Sequence, residues 1–258
     1  MRDFTLEKYR ELCIAVKEKY TPTTVYEYFR KYRHKDWVAV LRHDVDRFPK
    51  MALNMAKVEY KLDVNSTYYF RYPYTFNEQV IKEIIDMGHE IGYHYECLGK
   101  AKGDPEKAIE IFREEIKAFE ELGVKIKTIC AHGQPLSKWL NTDLWKYYDF
   151  TKFGIIAEAF LSFENENNVV YFSDTGRTWG GSVMKAYSLV NEKWGIKSTD
   201  DLIKFIRNTK AKKLYILTHP ERWGSNIFEW SRYLILDYVF NIGKHVLTTF
   251  RSTREGDV

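Results

Sequence analysis

Residues 37–46 read WVAVLRHDVD, and the rest of the chain is organised around them. Val38, Ala39, Val40 and Leu41 form an unbroken apolar run, which predicts a parallel strand covered on both faces. The run then empties into Arg42, His43, Asp44 and Asp46. In α/β folds chemistry collects where such strands end, because the loops there bring distant residues together over a rigid scaffold. Alternation along the strand puts Asp44 and Asp46 on one face with Arg42, and turns His43 the other way.

Outward from this strand, residues 4–32 read as helix with a break at Thr21-Pro22. Pro49 suits the first turn of a helix that runs to Leu62-Asp63. The segment 66–70, STYYF, is β-branched and aromatic and predicts a second strand; a helix over 76–87 follows and ends at Gly88. HEIGYH at 89–94 is the third strand, with His89 at its starting end and His94 at its finishing end. Asp104-Pro105 opens a long amphipathic helix that stops at Gly123, and 127–130 is the fourth strand, ending in His132-Gly133. The aromatic middle, 140–195, holds short strands at 153–156, 169–173 and 186–190. Ser198 or Thr199 caps a helix over 199–208, KLYILT at 213–218 is a late strand ending in His219-Pro220, and 228–242 is a closing helix. Strands alternating with helices predict right-handed βαβ units on a parallel sheet. The expected fold is α/β, a single irregular (β/α) barrel of seven strands over 1–258, with an N-terminal helical extension (1–36) and a C-terminal helix (225–258).

The 258 residues are 45% hydrophobic and 29% charged, ordinary for a chain that buries a full core. Mean hydropathy is −0.46 and no stretch nears the length of a membrane span, so a soluble protein is expected. The N-terminus lacks the apolar core of a signal peptide, and Cys13, Cys97 and Cys130 are odd in number without CxxC spacing; both features predict a cytoplasmic, reducing location. A net charge of +4 with Lys and Arg interleaved among acids gives no sign of nucleic-acid binding. Abundant Lys and Glu with only Gln79 and Gln134 match a thermophile's composition.

Four predicted strands finish alike, in Asp44-Val45-Asp46, His94, His132 and His219. In a parallel barrel these ends share one rim, and imidazole with carboxylate is the usual ligand set for Zn²⁺ or a similar divalent ion. His89 begins its strand, away from that rim, and reads as structural.

These residues resemble the polysaccharide deacetylase family, the NodB-homology enzymes of carbohydrate esterase type, over roughly residues 37–220. Arg42-His43-Asp44-Val45-Asp46 stands where the family has its Thr-Phe-Asp-Asp motif, and Ser66 to Phe70 matches the second strand. Gly88 to His94 matches Gly-His-Glu-Ile-Gly-x-His residue for residue, and Tyr215 to Pro220 resembles the late strand that ends in a general-acid His. The chain departs where the second metal His belongs, which is Leu98, and where the fourth strand's Arg-Pro motif reads Ala131-His132-Gly133-Gln134-Pro135. The resemblance implies a metal-dependent deacetylase or related amide hydrolase acting on an N-acylated sugar or glycan precursor. Asp46, His94 and His132 would hold a divalent metal, zinc first and Ni, Co or Fe next; Glu96 or His43 are the alternatives to His132. Asp44 would be the base and His219 the acid, with the roles of Asp44 and Asp46 exchangeable. Arg42, Tyr69, Arg71, Arg177 and Trp179 are the candidate substrate contacts, and Arg42 and Arg177 are equally placed to pair with Asp44. A metal-free carbohydrate-binding or regulatory barrel is the rival reading, supported by Leu98. A phosphoesterase has no Gly-rich phosphate cradle or clustered Arg in its favour.

Overall fold

In the computed structural model, residues 2–134, 137–164, 166, 168–179 and 195–236 are described. Strand β1 (Thr21–Thr23) lies parallel to the first half of β2 (Val38–Val45), and β3 (Thr67–Phe70) takes over beside its second half, from Arg42 onward. The sheet continues with β4 (Glu90–Tyr95), β5 (Thr128–Ala131), β6 (Ala157–Glu158), β7 (Val169–Ser173) and β8 (Lys213–Thr218). Its order is β6-β5-β4-β3-β2-β8-β7, and every pairing is parallel. All strand ends therefore meet at one rim, the arrangement expected of an irregular seven-stranded (β/α) barrel.

The sheet curls. The Tyr215 hydroxyl on β8 donates to the Ala159 carbonyl just past β6 at 2.8 Å. In a flat sheet of this order the two strands would lie roughly 24 Å apart. The curl leaves an inner face built from Val38, Val40, Tyr69, Cys130, Tyr215 and Leu217. The opposite residues of the same strands, among them Ala39, Leu41, Tyr68, Tyr93 and Ile216, pack outward against helices Pro49–Lys61, Glu78–Asp86, Pro105–Glu121 and Thr199–Asn208. Gly92 lies level with Tyr69, and a Cβ there would meet the Tyr69 ring at 2.2 Å, so only glycine lets that ring lie across the barrel.

The helix expected over 4–32 is instead a helix at Leu6–Lys19, the strand β1 and a tight helical segment ending at Tyr32. Thr21-Pro22-Thr23 favours extended backbone, and the partner strand completes the switch. The Val25 amide donates to Thr67 Oγ1 and the Tyr26 amide to Glu90 Oε2, so this segment plugs the barrel where β3 and β4 begin. The strand expected at 153–156 is also corrected: 150–153 is a 3₁₀ turn, and the strand there is the two-residue β6. Ser198 is the cap of the 199–208 helix, its hydroxyl accepting from the Asp201 amide while the Asp201 carboxylate accepts from the Ser198 amide. A helix spans 227–236; the rest of the expected closing helix and the strand at 186–190 lie outside the described residues. Among the described residues no helix is long and apolar enough to cross a membrane. The three cysteines are free and buried.

Candidate active site

The β2 end supplies Asp44 on the inner face and Asp46 one step beyond the strand. On the far side of β3, β4 brings His94, level with Cys130 on β5, and His132 follows β5 directly. Asp46 Oδ1 lies 3.2 Å from His94 Nε2 and 3.5 Å from His132 Nε2. One ligand atom from each of Asp46, His94 and His132 falls within 4.8 Å of the other two. Burial alone would raise the Asp46 carboxyl, but His132 and His94 outweigh it and hold the group well below the usual carboxylate range.

Two observations fit a divalent cation at this point. Asp46 Oδ1 is buried without a hydrogen-bond partner, an arrangement that is costly unless a cation completes it. His94 Nδ1 sits 3.0 Å from the Cys130 carbonyl, which can only accept; Nδ1 therefore carries a proton, and Nε2, which faces Asp46, is the nitrogen that would meet a cation. Two imidazole nitrogens and one carboxylate oxygen suit zinc or a neighbouring first-row ion. Asp44, His94 and Cys130 satisfy the same spacing but fit a metal poorly. Burial pushes the Cys130 thiol up, and the Arg42 guanidinium already donates to its sulfur at 2.6 Å.

Asp44 is gripped by Arg42 through two parallel bonds, Nε–Oδ1 at 2.8 Å and Nη2–Oδ2 at 2.7 Å. Burial opposes ionisation, but Arg42 prevails and takes the carboxyl down to about 2. Opposite lies His219 at the end of β8. Its Nδ1 is 2.6 Å from Asp174 Oδ1, and its amide donates to Asp174 Oδ2. Asp174 is wholly buried and also receives bonds from Arg222 and the Trp223 indole. Burial and Arg222 act to lower the His219 pKa; Asp174 overrides them and raises it.

Of the expected substrate contacts, Arg42 is buried beneath Asp44 and also donates to the Tyr215 hydroxyl. Tyr69 is wholly buried, with its hydroxyl on Thr128 Oγ1. Trp179 is buried among Phe4 and Trp223, and its indole donates to Thr199. Arg71 is half-buried, donating to the Asp46 carbonyl and to Glu96. Arg177 lies over the Phe4 ring. His43 faces away from the site, into a buried cluster with Glu59 and Thr218. His89 joins the same cluster through Ser66.

Sequence reasoning passed over two acids. Asp174 follows a strand end, VVYFS, by the same rule that picked out the others. Glu221, two residues past His219, is buried, with Oε2 lacking a hydrogen-bond partner and Oε1 3.7 Å from Arg47. Burial, then the Asp46 charge, raises its carboxyl to about 7. A buried acid held above its ordinary 4.5 weakens the fold as pH rises from there through 7. The neutral isostere Glu221→Gln is therefore expected to stabilise the metal-free protein at pH 8 by up to roughly 3 kcal/mol. The gain should vanish below pH 4.5. Urea denaturation at both pH values measures it.

The curled parallel sheet thus brings an Asp-His-His group, an Arg-held Asp and an Asp-held His to one rim. No family model matches the chain, and no curated protein matches it. Among solved structures it is similar to a CE4 family esterase from Streptococcus mutans, with 15% identity over 89% of this chain and 90% of that one and a TM-score of 0.47. It is also similar to a CE4 family pseudoenzyme from Bacillus anthracis, with 13% identity over 79% of this chain and 61% of that one, at 0.47. A mutant CE4 family pseudoenzyme with restored enzymatic activity matches at 13% identity over 80% of this chain and 64% of that one, again at 0.47. The chain thus spans less than two thirds of the length of the two pseudoenzyme structures.

Proposed function

We propose that this protein is a divergent polysaccharide-deacetylase-type hydrolase that removes an acyl group, acetyl first, from the nitrogen of an N-acylated sugar or glycan precursor. The observation that carries this reading is the buried, unpartnered Asp46 oxygen facing His94 and His132, set opposite the Asp174–His219 pair. Asp46, His94 and His132 would hold a divalent ion, which when bound would supply Lewis-acid activation for attack of water on an amide carbonyl. Asp44, anchored by Arg42, orients that water and takes its proton. His219, whose pKa Asp174 raises, gives a proton to the departing nitrogen. Tyr74, exposed next to Arg71 and Lys100, offers a ring for sugar stacking.

One observation favours the rival, a metal-free binding barrel: a carboxyl taken down to about 2 by Arg42 is a weak proton acceptor. Metal content separates the two readings. Protein purified without chelators should carry close to one divalent ion per chain, and His94→Ala should lose most of it. Acetate release from N-acetylated amino sugars is the companion assay. A wild-type protein that takes up no zinc, nickel, cobalt or iron would leave the binding barrel as the surviving reading.

A further inference from the structure

Leu98 stands where the resemblance expects a second metal histidine, yet it is buried in the outer apolar layer, on the wrong side of the chain for the centre. The short helix Cys97–Lys100 that carries it serves the site in another way. Glu96, just before this helix, is 2% exposed, and its Oε2 lies 3.2 Å from His132 Nδ1. The same carboxylate accepts from Arg71 Nη2 at 3.0 and 3.2 Å and from Gln134 Nε2 at 2.7 Å. Asn141 ties the two segments together: its Oδ1 accepts from the Gly99 amide at 3.0 Å, and its Nδ2 donates to the His132 carbonyl at 2.9 Å. Gly99 leaves the room this needs, because a Cβ there would meet Gln134 Oε1 at 2.1 Å.

We infer that Glu96 is the positioning residue that makes His132 a metal ligand, within a clamp of Arg71, Gln134 and Asn141 that replaces the absent second histidine. The inference rests on the metal centre proposed above. Glu96 Oε2 stands at ion-pair distance from Nδ1, outside hydrogen-bond geometry, and a carboxylate on that side of the ring favours a proton at Nδ1 and leaves Nε2, 3.5 Å from Asp46 Oδ1, as the nitrogen that would meet a cation. Arg71 and Gln134 fix the carboxylate in turn, and Arg71 also donates to the Asp46 carbonyl, so one guanidinium locates parts of two proposed ligands. Glu96 itself stands outside the group of mutually close ligand atoms.

The test is zinc affinity by competition with a chromophoric chelator, with the visible spectrum of the cobalt(II)-loaded protein as a second readout. Wild type, Glu96→Gln, Glu96→Asp, Gly99→Ala and His132→Ala are compared, and circular dichroism confirms their folds. Glu96→Gln should weaken zinc by roughly 10–100-fold and shift the cobalt bands. Glu96→Asp should recover part of both, Gly99→Ala should move in the same direction as Glu96→Gln, and His132→Ala should lose more than any of them. Wild-type affinity and spectrum in Glu96→Gln would overturn the inference and leave the metal centre standing. A loss in Glu96→Gln as deep as in His132→Ala would make Glu96 a ligand and also overturn it. A wild-type protein that binds neither ion would overturn both the inference and the centre on which it rests.

Discussion

Replacing His219 with alanine is expected to lower kcat for acetate release by roughly 10²–10⁴-fold while zinc content and KM stay near the wild-type values. His219 lies outside the Asp46, His94 and His132 group, so its loss leaves the proposed ligands in place. What disappears is the proposed proton source, whose Nδ1 lies 2.6 Å from the wholly buried Asp174. The companion variant is Asp174→Asn. Asp174 is what raises the His219 pKa against burial and Arg222, so the variant's pKa should drop. As an acid, His219 acts only while protonated, and activity is lost as pH rises through its pKa. The alkaline limb of the kcat profile should therefore move to lower pH in Asp174→Asn, along with a reduced plateau. Unchanged turnover in His219→Ala would remove the acid from the proposed reaction.

The strand ends were readable because a parallel strand announces itself twice, by its apolar run and by the polar residues at its exit. Residues 38–45 and 213–218 show both signals, and the structure places their strands side by side. Asp174 ends a strand in the same manner, but its sequence neighbours Thr175 to Thr178 look like an ordinary turn. The two-residue β6 is too short to carry any period, and its place in the sheet depends on pairing with β5 alone. Glu221 was invisible for a different reason: a short polar turn after His219 reads as solvated, and its burial comes from packing against helix Pro49–Lys61 and β2. The Glu96 clamp was out of reach because it joins Arg71, Gln134 and Asn141 across three loops, with no spacing rule to link them.

Glu59 shows how a sequence can hide a buried charge on a well-formed helix, and it carries the second large effect. It continues the stripe of Ala52, Met55 and Ala56 on helix Pro49–Lys61, so helical spacing turns it inward. It is wholly buried against the outer face of β2 and β3. Its two oxygens accept from Tyr9, from Tyr68 at 2.6 Å and from Ser66 at 2.7 Å, and they face His43 Nε2 at 2.9 Å. His43 Nδ1 in turn meets Thr218 Oγ1 at 2.6 Å, so the cluster braces β2 to β8 directly behind Asp44 and His219. Burial works against the Glu59 charge, yet His43 and the other partners hold its carboxyl at about 2, below its ordinary 4.5. A carboxylate with a depressed pKa contributes stability above its unfolded value and loses it as pH falls through the folded one. For Glu59 the loss lies between pH 4.5 and about 2. Glu59→Gln leaves His43 and two tyrosines around a neutral amide and is expected to cost about 3–5 kcal/mol at pH 7. The variant should also flatten the acid limb of the stability curve. Urea denaturation at pH 7 and pH 3 measures both effects. A cost below about 1 kcal/mol at pH 7, within the range of an exposed pair, would show that the cluster does not depend on its charge.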